Sequence, residues 1–352
     1  MKKTFFILFT FVSVFVFGQI PAYYNNVNLT LTGQALKNEL ANKITVTHTN
    51  WITYSDVWTA LEQTDLDPTN TNNVLLLYGY NDGDGNPITD RTRDKTNQGG
   101  NNGQWNREHT YAQSLANPSM STSTPGPGTD AHHIRSSDVQ MNGNRGNRLF
   151  AAGSGNAGNA GANWYPGDEW KGDVARMMMY MYLRYGSQCL PTGVGVGTTV
   201  PTDANMISLF LQWNAEDTVS QYEKNRNNLL QGIQGNRNPF IDNPYLATII
   251  WNGTPAQDNW NMTTSITEND FSNFFDVYPN PTTEKVFVKF GEEVSREPKN
   301  QLEVYTISGK LVSQYFNNDI KNNTLEISLP KGFYVLKFET TNTLITKKVV
   351  VR

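Results

Sequence analysis

Two segments, NREHTYAQS (106–114) and DAHHIRSSDVQMNGNRGNRLF (130–150), hold the pattern on which the fold and the chemistry depend. Three of the four histidines lie in them, at His109, His132 and His133. The acidic and amide side chains of the same stretch include Glu108, Asp130, Asp138 and Asn142. Carboxylate and amide oxygens bind hard cations, and imidazole titrates near neutral pH. The stretch therefore predicts a site in which a titratable base lies beside a metal ion.

Glu108 and His109 are neighbours in sequence. Because adjacent side chains on extended backbone point to opposite sides, one can face a cation while the other faces a reacting water. An exposed glutamate beside a structural histidine is the alternative interpretation of this pair. Arg145 follows Asn142 by three residues, which is one turn if the segment is helical.

Apolar residues on both sides of this stretch recur at helical or strand spacing. A helix at 173–185 carries Met177, Met178 and Met181 on one face, which indicates core packing rather than a soft metal site. Gly186 is expected to end it. The other main predicted elements are helices at 36–44, 54–61, 204–213 and 220–231 and a buried strand at 74–80.

The chain of 352 residues is long enough for two domains. A basic start followed by an apolar run predicts a signal peptide over 1–18, which is too short to span a bilayer. Residues 19–262 mix helical and strand patterns, and 263–275 is a polar linker. In 276–352 short β-branched segments alternate with turns, which predicts a small all-β sandwich. The expected fold class is α+β.

Composition limits the partners. The net charge of −4 predicts no general affinity for polyanions, so nucleic acid would have to be bound by local contacts. Cys189 is the single cysteine, and one thiol cannot form an internal disulfide. No second long apolar stretch follows the leader, so we expect an exported, soluble monomer with no membrane span.

The two quoted segments resemble the paired motif of the endonuclease I family, periplasmic and secreted nucleases with a ββα-metal active site. The resemblance continues in WYPGDEWKGDVARMMMYMYLRYG (164–186) and QYEKNRNNLLQGIQGNRNPFIDNP (221–244), in the family's order. It implies a ββα-metal nuclease domain among helices, with His109 as general base. It also implies that Glu108 and Asn142 bind Mg²⁺, for which Mn²⁺ or Ca²⁺ could substitute.

Hydrolysis of a phosphodiester requires a base that titrates near neutral pH, a cation at the developing charge, and donors that hold the phosphate. For the donors, Arg145 is the favoured candidate, and Arg135 and Arg148 are candidates for substrate binding. Asp130 and His132 match family positions, where they either support the site or form a buried structural pair. Some relatives place a phosphate-binding arginine between the two motifs, but 110–129 contains no arginine or lysine.

The tail resembles the C-terminal sorting domain of the type IX secretion pathway. YPNPTTEKVFVKF (278–290), LEVYTISGKLV (302–312) and LPKGFYVLKFETTNTLITKKVVVR (329–352) carry this resemblance. It implies that the secretion machinery binds the tail and that the protein reaches the cell surface or the medium by way of the periplasm. The alternative is an ordinary accessory binding sandwich.

The function implied is cleavage of DNA, and of RNA as a second substrate, without sequence preference and leaving 5′-phosphate ends. Two alternatives stay open at this point. One is a ribonuclease of the same family, and the other is a non-catalytic surface adhesin on the same scaffold.

Overall fold

The computed structural model describes residues 20–262, 275–291, 301–316, 319–339 and 344–352. The predicted signal peptide (1–18) lies outside the described residues, and so does the predicted linker (263–275) apart from its last residue. The chain divides between Met262 and Thr263 into two compact units, each with its own apolar core.

The first unit mixes helices with short strands. Its helices are α1 (Gly33–Val46), α2 (Asp56–Thr64), α3 (Val139–Arg145), α4 (Lys171–Tyr185), α5 (Ser208–Glu216), α6 (Gln221–Gln234), α7 (Pro239–Asp242) and α8 (Tyr245–Trp251). Its strands are β1 (Leu66–Asp67), β2 (Asn70–Leu75), β3 (Thr92–Asp94), β4 (Trp105–His109), β5 (Ile134–Asp138), β6 (Gly158–Ala160), β7 (Asn163–Tyr165), β8 (Thr199–Val200) and β9 (Asp203–Ile207).

A ββα unit lies at the centre of the two quoted segments. Strands β4 and β5 pair antiparallel, with Glu108 opposite Arg135, and α3 follows β5 directly. Asp138 caps this helix, because its carboxylate accepts hydrogen bonds from the amides of Gln140 and Met141. Gly146, at φ +55°, ends it where a side chain would be strained. The structure thus confirms the predicted ββα unit within an α+β chain.

Helix α4 is the central element of the core. All of its residues from Gly172 to Leu183 are buried, and Met177, Met178 and Met181 pack within the apolar cluster as predicted. The helices expected at 36–44, 54–61 and 220–231 correspond to α1, α2 and α6 with shifted ends. Ser220 begins α6 through a capping box with Glu223.

Two predicted elements are wrong in part. Strand β2 ends at Leu75, and the chain then turns, with Tyr78 at φ +75°. The continuous apolar run at 74–80 reflects burial of Leu76, Leu77 and Tyr78 rather than strand pairing. In the second case, the predicted helix at 204–213 begins only at Ser208, because 203–207 pairs with β8 as strand β9.

The second unit is a small all-β domain, as predicted. Its strands are β10 (Phe275–Tyr278), β11 (Lys285–Phe290), β12 (Gln301–Thr306), β13 (Leu311–Phe316), β14 (Thr324–Ser328), β15 (Gly332–Glu339) and β16 (Leu344–Val351). They form two antiparallel sheets, in the orders β10-β11-β14 and β13-β12-β15-β16. Alternate residues of both sheets, such as Val286, Val304 and Leu336, are buried in one cluster.

Candidate active site

A cleft of about 470 Å³ opens beside the ββα unit. Its lining brings together Glu108 and His109 at the end of β4 and Asn142 from α3. These are three of the four residues that the sequence assigned to catalysis and metal binding; the fourth, Arg145, does not line the cleft. Their convergence on one concave surface is the geometry that those roles require, because a base and a cation must reach the same phosphate.

Glu108 is almost completely buried at the back of the cleft. Its Oε1 accepts hydrogen bonds from the Tyr78 hydroxyl at 2.9 Å and from Arg145 Nη1 at 3.2 Å. Burial raises the pKa of Glu108 to about 7, although the charge of Arg145 and the Tyr78 hydrogen bond oppose the shift. The carboxyl is therefore poised to release its proton when a cation binds near neutral pH.

His109 has its two ring nitrogens in different environments. Nε2 lies 2.9 Å from the carbonyl oxygen of Gly128, and Nδ1 lies 3.2 Å from the side-chain amide nitrogen of Gln113. Since a carbonyl can only accept, Nε2 carries the proton and Nδ1 keeps its lone pair. Burial and the nearby His133 lower the pKa of His109 to about 3, so the ring is neutral at physiological pH.

Asn142 is held by Asn106, two residues before Glu108 on β4. The Asn142 Nδ2 donates to Asn106 Oδ1 at 2.8 Å, which fixes the orientation of the amide. Asn106 and Glu108 lie on the same side of the strand, because side chains alternate along it. The side-chain oxygen of Asn142 is left without a hydrogen bond from any residue that the structure describes.

The side-chain oxygens of Glu108 and Asn142 fit a small divalent cation. Glu108 Oε2 and Asn142 Oδ1 receive no hydrogen bond from the described residues, and both belong to side chains that line the cleft. Mg²⁺ prefers oxygen ligands and keeps several waters, so one carboxylate and one amide are enough protein ligands. Within the described ranges no group of three or more His, Cys, Asp or Glu side chains could hold a metal.

Arg145 does not reach the cleft, which contradicts its predicted contact with phosphate. Its side chain is 0% exposed and donates to Glu108, to the carbonyl of His109 and to the carbonyl of Thr110. A guanidinium that is fully buried in this way cannot also contact substrate in the cleft. Arg145 instead holds the end of β4 and the Glu108 carboxylate in place.

Arg135 is also buried, and this contradicts its predicted role in substrate binding. Its guanidinium forms ion pairs with Asp65 and Asp173, each at 3.2 Å, and Arg135 is not among the residues that line the cleft. Arg148 is half-buried and donates to the backbone carbonyls of Asn144 and Arg145. It lines a separate cavity of about 380 Å³ with Asn144 and Trp164, so its role in substrate binding stays a prediction.

Asp130 and His132 lie in a buried polar network behind the site. Asp130 accepts hydrogen bonds from the hydroxyls of Tyr180 and Tyr185, both at 2.8 Å, and from the Gln234 amide. Burial alone would raise the pKa of Asp130, but His132 and the other neighbours hold it below its ordinary value. Asp130 also caps the short turn 131–133 through the backbone amide of His132. Both residues are therefore buried in this network, and neither lines the cleft.

The sequence did not single out several residues that the structure brings to the site. Arg107 lines the cleft, and its position in the NREH motif was the available signal, because it shares a strand face with His109. Gln113 lies four residues after His109 and contacts its ring. Gly128 and Tyr78 are distant in sequence and carry no local signal, since only the folded chain brings them to His109 and Glu108.

A ββα unit with a neutral imidazole, a carboxylate and an amide oxygen in one cleft defines the chain as a nuclease, a hydrolase of phosphodiester bonds. The chain belongs to the endonuclease I family, because residues 32–245 match the family model described as Endonuclease I. Members of this family generally depend on a divalent metal ion. This membership leaves no support for the non-catalytic adhesin.

Two relatives in Bacillus agree with this assignment. An extracellular ribonuclease of Bacillus amyloliquefaciens is 42% identical over 231 residues, which cover 62% of this chain and 75% of the relative. An extracellular ribonuclease of Bacillus subtilis (strain 168) is 43% identical over 231 residues, which also cover 62% of this chain and 75% of the relative.

The tail explains how the nuclease leaves the cell. Residues 276–352 match the family model described as Secretion system C-terminal sorting domain, which confirms the predicted type IX sorting tail. The chain is thus a secreted nuclease. None of the helices in the described ranges combines the length and apolar character that a bilayer crossing requires.

Proposed function

We propose that the cleft hydrolyses phosphodiester bonds of DNA and RNA without base specificity, with one Mg²⁺ and His109 as general base. The observation that carries this proposal is the unprotonated Nδ1 of His109 in the same cleft as Glu108 Oε2 and Asn142 Oδ1. Among the described residues Nδ1 has one hydrogen-bond partner, the neutral side-chain amide of Gln113, and a water can replace that contact.

In the proposed reaction Nδ1 of His109 takes a proton from a water as the water oxygen attacks phosphorus. The bond from phosphorus to the 3′ oxygen breaks, which leaves a 5′-phosphate and a 3′-hydroxyl after the 3′ oxygen gains a proton from solvent. The hydrogen bond that Nε2 donates to the Gly128 carbonyl holds the orientation of the imidazole, so that Nδ1 faces the water once the water has replaced Gln113. When bound by Glu108 and Asn142, Mg²⁺ would neutralise the charge that develops on the phosphate and on the departing oxygen.

Little base specificity follows from the chemistry of the cleft. The groups proposed to act on the substrate, His109, Glu108 and Asn142, act at the phosphate through a proton and a cation. Phosphate contacts carry no base information, so cleavage should depend weakly on sequence.

The test measures cleavage of supercoiled plasmid and of ribosomal RNA by the full chain. The unmodified chain is compared in Mg²⁺ and in EDTA, and the His109→Ala variant is compared with it in Mg²⁺. We expect cleavage with Mg²⁺ and none with EDTA. His109→Ala should lower the rate about 10²- to 10⁴-fold, the usual contribution of a general base. Undiminished cleavage by His109→Ala would remove the proposed base, and undiminished cleavage in EDTA would remove the metal.

A ribonuclease that prefers RNA to DNA is the second candidate function. It is favoured because both Bacillus relatives are named extracellular ribonucleases. It is tested in the same reactions by comparing kcat/KM on matched single-stranded DNA and RNA oligonucleotides. A ratio near one supports a general nuclease, whereas a large excess for RNA supports a ribonuclease.

A further inference from the structure

The cleft needs a donor for the phosphate, and neither Arg145 nor Arg135 supplies it, while Arg148 lines a separate cavity. Arg145 and Arg135 are buried and engaged, and no arginine or lysine occurs between 110 and 129. Arg107 is the charged guanidinium among the residues that line the cleft. We propose that Arg107 binds the non-bridging oxygens of the scissile phosphate. This inference rests on the proposed phosphodiester hydrolysis at the same cleft.

The charge balance of the cleft supports this assignment. Glu108 is the lining carboxylate, and its negative charge is already paired with Arg145 at 3.2 Å. Arg107 has no carboxylate within ion-pairing distance among the residues that the structure describes. An anion entering the cleft would therefore meet the unpaired positive charge of Arg107, in addition to any cation that Glu108 and Asn142 bind.

The guanidinium of Arg107 is held in place but keeps free donors. Its central carbon lies 3.4 Å from the ring centroid of Tyr54 and 4.1 Å from that of Trp58. Nη1 donates to the backbone carbonyl of Tyr54. Nη2 has no hydrogen-bond partner in the described part of the chain and is the donor left for a phosphate, whereas Nε is buried without a partner. An arginine stacked on aromatic rings loses less freedom when it binds phosphate, because its planar fork is already oriented.

The position of Arg107 on β4 matches the geometry of the reaction. Arg107 and His109 are two residues apart on the strand, so they share a face at a spacing of about 6.6 Å. The ring of Tyr54 contacts both, since its centroid is also 5.5 Å from the His109 ring. A phosphate held by Arg107 therefore lies next to the water from which His109 takes a proton.

The experiment compares Arg107→Gln and Arg107→Lys with Arg91→Gln. Arg91 is a matched control, because its guanidinium also lies near a tryptophan ring, at 6.0 Å from Trp170, but is paired with Glu169 outside the cleft. Binding of a fluorescent DNA duplex to the full chain is measured by anisotropy against salt concentration, with each variant placed in the His109→Ala background. Steady-state kcat and KM are measured with His109 present.

We expect Arg107→Gln to weaken DNA binding about 10- to 100-fold, the effect of losing hydrogen bonds to a charged group. The slope of log affinity against log salt should fall by about one, because one phosphate contact is lost. Arg107→Lys keeps the charge without the fork, so it should retain the salt slope and lose part of kcat. Arg91→Gln should leave affinity, slope and kcat unchanged.

Failure of this inference is distinguishable from failure of the proposed function. If the unmodified chain does not cleave with Mg²⁺, the proposed function is wrong. If it cleaves and Arg107→Gln keeps wild-type affinity, salt slope and kcat, Arg107 does not bind the phosphate. Mn²⁺ binding and the melting temperature report whether the cleft of each variant is intact. If Arg107→Gln does not fold, Arg107→Lys decides, because an unchanged kcat in that variant also overturns the inference.

Discussion

The imidazole Nε2 of His109 donates to the carbonyl oxygen of Gly128 at 2.9 Å. This bond determines which ring nitrogen is free to act as a base, and it joins the end of β4 to the turn at 127–129. His133 donates to the preceding carbonyl, that of Pro127, at 2.8 Å. Two imidazoles therefore bind two successive backbone carbonyls of the turn. The position of the turn in this way determines the orientation of the His109 ring.

Gly128→Ala should lower kcat about 100-fold, because a shift of about 1 Å in a catalytic group has an effect of that size. A Cβ on Gly128 would lie 2.2 Å from the backbone oxygen of Ser121, so the turn must move. Gly126→Ala is the matched control, since the nearest atom to its Cβ is 4.0 Å away. Steady-state cleavage of an oligonucleotide measures both variants. Equal rates in the two would show that the turn does not position His109.

The acid limb of the pH–rate profile should depend on metal concentration. The pKa of Glu108 is raised to about 7, so below that pH a proton occupies the carboxyl and competes with the cation. At low Mg²⁺ the limb should lie near pH 7 and move about one pH unit lower for each tenfold increase in Mg²⁺. His109 stays neutral throughout, because its pKa is about 3. Profiles of kcat/KM at three Mg²⁺ concentrations test this, and a limb that does not move would assign it to another group.

Arg145→Ala should destabilise the first unit by about 3–5 kcal/mol, because it leaves the buried Glu108 without its cationic partner. Arg148→Ala is the control and should cost less than about 1 kcal/mol, since it removes hydrogen bonds from a half-buried side chain. Urea unfolding followed by tryptophan fluorescence measures this unit alone, because all eight tryptophans precede Met262. A loss below 1 kcal/mol for Arg145→Ala would contradict the role given to the ion pair.

Local sequence patterns predicted the elements and the lining of the site well. The motifs that resemble the endonuclease I family predicted that Glu108, His109 and Asn142 meet, and all three line one cleft because β4 pairs with β5 and α3 follows β5 directly. The β-branched segments of the tail predicted its strands, since each pairs with a neighbour in an antiparallel sheet.

The roles of the arginines could not be predicted in the same way. Whether Arg135 faces substrate or the interior depends on Asp65 and Asp173, which come from distant parts of the chain. Burial of Arg145 likewise depends on β4 passing beside α3. A sequence motif does not reveal the ion-pair partner of a charged residue or its exposure to solvent, because tertiary contacts determine both.

Asn106→Ala should weaken metal binding about 10- to 100-fold although Asn106 is not a predicted ligand, because residues that orient a ligand have effects of this size. The side-chain oxygen Oδ1 of Asn106 accepts a hydrogen bond from Asn142 Nδ2 at 2.8 Å, so without it the Asn142 amide can rotate and present nitrogen to the cation. Asn106→Asp keeps an acceptor at the same place and should retain binding. Asn144→Ala is the control, since Asn144 lies on the same helix but lines the other cavity. Calorimetric titration with Mn²⁺ measures the three variants, and equal affinities for Asn106→Ala and Asn144→Ala would show that Asn142 needs no such support.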